Sequence, residues 1–252
     1  TSRRAVRRTG PDGGPVRPVR LRLPAPPLST RLPSIMPNTA DLKDGERVVA
    51  TILFSDMKGF TPLSERMDPE EMDALMGRVF GAFEECIRAH GGTVEKYIGD
   101  ALVAVFGVSE HHEDDSARAI HAALDFLGRA GLIAPKGVEL SFRTGIHAGL
   151  TATGRRGEHD VVTGHAMNVA QRLEAAAAPD SILVSDAVAE KCRDEFQFGE
   201  ALELRLKGKS ETVKAWPVLG LADGVPRDDG PLHGRKEQLD ELLRAYLRTD
   251  PK

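Results

Sequence analysis

Apolar residues along this chain alternate between two periods, and the changes of period mark out its elements. Val48 to Phe54 is a short β-branched apolar run that stops at Ser55-Asp56, the pattern of a buried strand. Asp68-Pro69-Glu70-Glu71 then reads as N-cap, first-turn proline and capping-box glutamate, and opens a helix. Its Met72, Leu75, Met76, Val79, Phe80 and Phe83 recur at helical spacing until Gly91-Gly92. Thr93 to Ile98 and Ala101 to Phe106 are strand-like runs joined by Gly99-Asp100, the two-residue turn of a hairpin. A helix from about Asp115 to Ala130 places Ala119, Ile120, Ala123, Leu124 and Leu127 on one face, and Leu140 to His147 returns as a strand. The order β-α-β-β-α-β predicts an α+β fold with a ferredoxin-like βαββαβ core. A C-terminal extension adds a helix near Ala166 to Ala177, a strand at Ile182 to Val184 and a short helix around Ala187 to Cys192. Two strands, near Leu202 to Leu206 and Thr212 to Leu219, close it.

Length and composition narrow the picture. The chain has 252 residues, enough for one full core with extensions. The pattern places one domain over 45–220, after a basic Arg/Pro-rich leader over 1–44 expected to be disordered. From 221 to 252 it reads as a linker and the start of a further module, with an amphipathic helix over Gly234 to Leu247. Apolar runs are too short to span a bilayer, so no membrane partner is expected. Cys86 and Cys192 form neither a CxxC pair nor a disulfide framework, which fits a reducing, cytoplasmic location. Net charge is −4, but residues 1–35 carry eight arginines against the single acid Asp12, about +7, leaving about −11 on the rest. A basic tail of this kind can contact nucleic acid or anionic lipid, or can be a stretch upstream of a start at Met36. No nucleic-acid partner is expected of the domain itself. Arg3-Arg4 and Arg7-Arg8 lack a following apolar segment, which excludes an export signal.

Candidate chemistry begins with two carboxylates. Asp56 and Asp100 each sit where a strand meets a turn, as turn-forming residues do and as ligands of a two-metal site do. Asn168 and Arg172 lie four apart and so share one helix face. His111-His112-Glu113-Asp114-Asp115 has metal-ligand residue types but reads as a solvated cap ahead of a helix. His147 reads as a hydrogen-bonded strand-end residue, Trp216 as packing, and Arg155-Arg156 as an exposed loop pair.

Four motifs in order, Phe54-Ser55-Asp56-Met57-Lys58-Gly59-Phe60-Thr61, Glu95-Lys96-Tyr97-Ile98-Gly99-Asp100, Asn168-Val169-Ala170-Gln171-Arg172-Leu173-Glu174 and Leu206-Lys207-Gly208-Lys209, resemble the class III nucleotidyl cyclases over roughly Arg47 to Leu219. The chain looks most like bacterial adenylate cyclase domains that precede an AAA-type ATPase module, since Gly234-Arg235 and Leu239 resemble the opening of one.

The resemblance implies conversion of ATP to 3',5'-cyclic AMP and pyrophosphate with two Mg²⁺ or Mn²⁺ ions per site. Asp56, Asp100 and the backbone carbonyl of Met57 would be metal ligands, and the turn through Gly59, Phe60 and Thr61 would cradle phosphates. Asn168 would orient the ribose, Arg172 would neutralise charge growing on the α-phosphoryl group, and Lys207 would contact the triphosphate. Lys96 would donate to the adenine ring. Val161 stands where the family has an acceptor for the adenine amino group, and Thr163 is the expected substitute. Asn168, Arg172 and Lys207 belong, in the family, to the subunit opposite the aspartates, so a head-to-tail homodimer is implied. A guanylate cyclase and a catalytically silent regulatory module are the alternatives.

Overall fold

The structure, a computed structural model, describes residues 47–108, 110–135, 137–156, 159–205 and 212–222, with the backbone alone at 155, 156, 159–162 and 205. Lys207 and Lys209, the basic leader and the proposed ATPase-module opening lie outside the described residues, as do the side chains of Asp160 and Val161.

The described chain runs β1 (Arg47–Met57), α1 (Phe60–Ser64), α2 (Pro69–Ala89), β2 (Thr93–Ile98), β3 (Ala101–Phe106), α3 (Asp115–Ile133) and β4 (Phe142–Arg156). It continues through β5 (His159–Thr163), α4 (His165–Ala176), β6 (Ser181–Ser185), α5 (Asp186–Lys191), β7 (Phe196–Phe198), β8 (Leu202–Arg205) and β9 (Thr212–Leu221). The sheet order β2-β3-β1-β4-β6-β9-β7 opens with the antiparallel arrangement expected of a βαββαβ core. β6 joins β4 in parallel, while β5 pairs with β4 and β8 with β9 off this path. Three features differ from the sequence pattern, one of them the short strand β7, which pairs with β9 and which that pattern does not predict. β4 runs on to Arg156, so Arg155-Arg156 end a strand rather than sit in a loop, and β5 pairs back on it from Arg156↔His159 to Ala152↔Thr163. The glycine at 149 and the polar residues that follow hide this extension, because its ladder is supplied by β5 and not by apolar periodicity.

Asp68 caps α2 by accepting from Glu70 N at 2.9 Å, as the sequence pattern predicts. α2 and α3 pack on one face of the sheet, where Leu53, Met57, Leu102, Ala104, Phe106, Phe142 and Ile146 meet Leu75, Val79, Phe83, Ile120 and Phe126. Phe126 makes edge contacts with Phe83 and Phe142, at centroid distances of 5.1 and 4.8 Å. Burying one such ring contributes on the order of 3 kcal/mol.

Strand alternation sends the other side chains to the opposite face. There Ile52, Phe54, Val103 and Val105 pack against Ala166 and Ala170 of α4. Gly145 makes that approach possible, since a Cβ on it would lie 2.2 Å from Glu174 N and 2.3 Å from Ala170 O. α4 therefore rests directly on the backbone of β4.

Candidate active site

Continuing the alternation Ile52, Phe54 puts Asp56 on the α4 face at the end of β1. Asp56 lies opposite Ala101 on one side and Arg143 on the other, so Asp100, in the turn just before Ala101, is brought beside it. The turn is tight because Gly99 adopts φ +65°. Asp100's carboxyl is pushed upward by burial first, opposed by a backbone hydrogen bond, with the adjacent Asp56 carboxylate raising it and Arg143 lowering it. Like charges are thus held together at a strand end.

Two residues that the sequence pattern did not single out complete the cluster. Arg143 donates from Nη2 to Asp56 Oδ2 at 2.6 Å, and the same nitrogen lies 3.0 Å from Glu174 Oε1. Glu174 points from α4 toward the sheet, its side chain 8% exposed. Burial pushes its carboxyl up to about 7; Arg143 opposes this, and Asp56 and Asp100 add to it. Its contact with Arg143 is an ion pair outside hydrogen-bond geometry, and Arg143 Nε and Glu174 Oε1 are both buried without a hydrogen-bond partner among the described residues. A signal for Glu174 was available, because it follows Leu173 on the apolar stripe of α4 that includes Ala166, Val169 and Ala170.

This acidic excess fits hard divalent cations, which take oxygen ligands. Among the described residues no set of three His, Cys, Asp or Glu side chains could hold a metal. Two carboxylates would therefore have to share ions with the Met57 carbonyl, substrate phosphates and water. Mg²⁺ is commonly held in this way at nucleotide sites.

Gly59, at φ +81°, begins α1, and Leu63 N and Glu65 N bond back to Gly59 O and Thr61 O. Phe60 and Thr61 thus occupy a first helical turn, whose N–H groups have no partner within the helix.

Lys96 reaches the same sheet face through an irregularity that sequence alternation alone does not supply. The β2–β3 register shifts between Val94 and Lys96, leaving Glu95 as a bulged residue, and Lys96 lies opposite Val103 of the α4-side cluster. Tyr97 turns the other way, onto Phe80 at 4.5 Å. The Lys96 ammonium lies 3.8 Å from the Glu95 carboxylate.

α4 carries its remaining candidates outward. Ala166, Val169, Ala170, Leu173 and Glu174 are buried, while Asn168 is exposed and Arg172 half-buried on the opposite side of the helix. Thr163 is exposed at the end of β5, and its Oγ1 donates to Ala152 O at 3.4 Å. The fold therefore gathers Asp56, Asp100, Met57 and the Gly59–Thr61 turn at one end of β1. It does not bring Asn168 and Arg172 to them within one chain.

Other candidates resolve into structural roles. Buried Asp115 accepts from His112 N at 3.0 Å and pairs with Arg118, while Arg118 Nη1 donates to His90 O at 3.1 Å, tying α3 to the end of α2. With a guanidinium at its centre, the His111-His112 cluster suits an ion pair better than a cation. His147 lies inside β4 rather than at a strand end. Its Nδ1 is 2.8 Å from Ser185 Oγ, and burial, with a smaller contribution from His165, lowers its pKa to about 4. Trp216 donates to Asp186 Oδ1 at 2.7 Å, with Arg193 stacked 4.9 Å from its ring. Among the described residues no helix is long and apolar enough to cross a membrane.

Comparison with known proteins places this arrangement. A family model described as the adenylate and guanylate cyclase catalytic domain matches residues 44–219. An adenylate cyclase of Mycobacterium tuberculosis is 31% identical over 205 residues, covering 77% of this chain and 45% of that protein. The chain thus spans less than half the length of that curated relative. The adenylyl cyclase CyaB of P. aeruginosa superposes with a TM-score of 0.69 at 24% identity, covering 73% of this chain and all of that one, a likeness of fold. The guanylyl cyclase Cya2 superposes with a TM-score of 0.68 at 28% identity, covering 73% of this chain and 98% of that one. Both purine classes are therefore represented among its relatives, and the chain belongs to the adenylate and guanylate cyclase catalytic-domain family.

Proposed function

We propose that this chain is an adenylate cyclase that turns ATP into 3',5'-cyclic AMP and pyrophosphate at sites shared by two head-to-tail copies. The observation that carries the shared site is the geometry of α4. Asn168 and Arg172 point away from the sheet face on which Asp56 and Asp100 converge, so one chain supplies both halves of a site without joining them. A second copy related by a two-fold axis joins each half to its complement.

Bound Mg²⁺ or Mn²⁺ ions would activate the ribose 3'-hydroxyl and neutralise the leaving pyrophosphate. In this reading Asp56, Asp100 and the Met57 carbonyl hold the ions, and the N–H groups of Gly59, Phe60 and Thr61 receive the phosphates. Arg143 stands beside the two aspartates, where a guanidinium complements phosphate charge. From the partner copy, Asn168 orients the ribose and Arg172 opposes charge growing on the α-phosphoryl oxygens. Lys207 is assigned to the triphosphate on the sequence motif alone. Adenine is favoured over guanine because Lys96 offers a donor and no acceptor to the ring. Thr163, exposed at the end of β5, is the proposed acceptor for the adenine amino group.

Guanylate cyclase activity is the second reading, and Val161 favours it, since valine gives the adenine amino group no acceptor. Turnover of ATP and GTP with Mn²⁺ separates the two, with ATP expected to be preferred at least tenfold, about 1.4 kcal/mol. The same assay on Asp56→Ala, Arg172→Ala and their equal mixture tests the shared site. Each variant should be inactive, and the mixture should recover part of the activity through one intact site per heterodimer. Undiminished Asp56→Ala turnover sinks the metal assignment, and absence of recovery after verified mixing sinks the shared site.

A further inference from the structure

Glu174 has no role in the scheme above, yet it is a carboxylate placed beneath a helix by a contact that requires glycine. Gly145 lets the backbone of α4 settle on β4 at Ala170 and Glu174, which sets the Glu174 carboxylate 3.0 Å from Arg143 Nη2. That same nitrogen also engages Asp56 Oδ2. One guanidinium is therefore shared between a proposed metal ligand and a buried carboxylate that is not one.

We infer that Glu174 is a positioning residue, which draws the Arg143 guanidinium away from Asp56 and so leaves the Asp56 carboxylate available to a divalent cation. The inference rests on the metal role proposed for Asp56 and Asp100. A cation arriving at Asp56 competes with Arg143 for the same oxygen, and the displaced guanidinium needs a second anion close by. At pH 8 Glu174 is that anion, and it is already desolvated, so the exchange brings no further charge out of water. Held by Glu174, Arg143 remains beside the aspartates instead of turning into solvent. One helix then serves two tasks: its outer face presents Asn168 and Arg172, and its inner face governs the carboxylate of its own chain.

Mn²⁺ binding to the nucleotide-free 252-residue protein, followed by electron paramagnetic resonance of free Mn²⁺, tests this without turnover. Asp56→Ala should abolish the site. Glu174→Gln, which keeps the shape and removes the charge, should weaken Mn²⁺ binding roughly fivefold, because Arg143 is left with Asp56 as its partner. Arg143→Met should strengthen binding, and in that background the Glu174→Gln change should have no further effect. Glu174→Asp retains the anion and should stay within about twofold of the parent, a second check should the glutamine variant fold poorly. Unchanged affinity in Glu174→Gln overturns the inference. The same loss persisting with Arg143→Met also overturns it, since it would show charge acting through space and not through the guanidinium. A parent protein whose Mn²⁺ binding survives Asp56→Ala overturns the underlying metal assignment instead.

Discussion

The two faces of the sheet are built from neighbouring residues of the same strands and do opposite work. On the α2 and α3 side, Leu53, Ser55 and Met57 of β1 are buried at no more than 3% exposure, and the hydroxyls of Ser55 and Thr144 pair with each other at 3.0 Å. One residue over, Ile52, Phe54 and Asp56 face α4, and there the apolar row ends in a carboxylate with Arg143, Asp100 and Glu174 around it. On the first face the buried hydroxyls answer one another, Thr51 with Ser116 at 3.1 Å and Ser55 with Thr144. The second holds mutually repelling acids, with Arg143 Nε and Glu174 Oε1 buried and without a hydrogen-bond partner among the described residues. A protein keeps such a cluster where binding something offsets it.

The sharpest way to break this comparison is to make one deletion on each face. Asp56→Ala should lower turnover by at least about a thousandfold, while stability to urea stays within about 1 kcal/mol because the side chain is part-exposed. Phe126→Ala should do the reverse, costing about 4 kcal/mol of stability through the cavity left between Phe83 and Phe142. Equal stability losses in the two variants would mean that both faces are structural.

A smaller change probes where the faces are joined. Gly145→Ala puts a methyl against Ala170 O and Glu174 N, backbone atoms that cannot move aside as a flexible side chain can. We expect a loss of about 2 kcal/mol in urea unfolding and a fall in turnover larger than that loss explains, since α4 carries Glu174 inward and Asn168 outward. Normal turnover in a folded Gly145→Ala protein would show that the helix position is not critical.

How far the sequence revealed all this differs between the faces for a physical reason. Core strands and helices announce themselves through apolar period, so β1, α2, β2, β3 and α3 match the pattern to within a few residues. Asp56 and Asp100 were legible because strand ends are visible where the apolar run stops. Lys96 depended on a bulge at Glu95, and one inserted residue reverses which face a strand residue takes. Arg143 and Glu174 depended on the β1–β4 register and on helix placement over Gly145, neither of which local periodicity encodes. β5 was missed because its five residues carry only the adjacent pair Val161-Val162, too short a run to show an apolar period, and it forms its ladder on the end of β4.

The finest test separates the faces by pH. Glu174 is raised from 4.5 to about 7 in the folded protein, so between those values the native state holds a proton that the unfolded chain has released. Stability contributed by this group must fall as pH rises through that window. Glu174→Gln removes the titration and should unfold at higher urea than the parent at pH 8, by on the order of 1 kcal/mol, with the difference closing toward pH 5. Chelator keeps metal out of the comparison. His147 gives the opposite slope, because its pKa is lowered to about 4 and acid favours the unfolded chain, but it is common to both proteins and cancels. A variant more stable at pH 8 and weaker in Mn²⁺ binding would show that the parent gives up stability at Glu174 to keep Asp56 open. Parallel stability curves across the whole pH range would instead make Glu174 an ordinary buried residue, and the α4 face no more specialised than the core opposite.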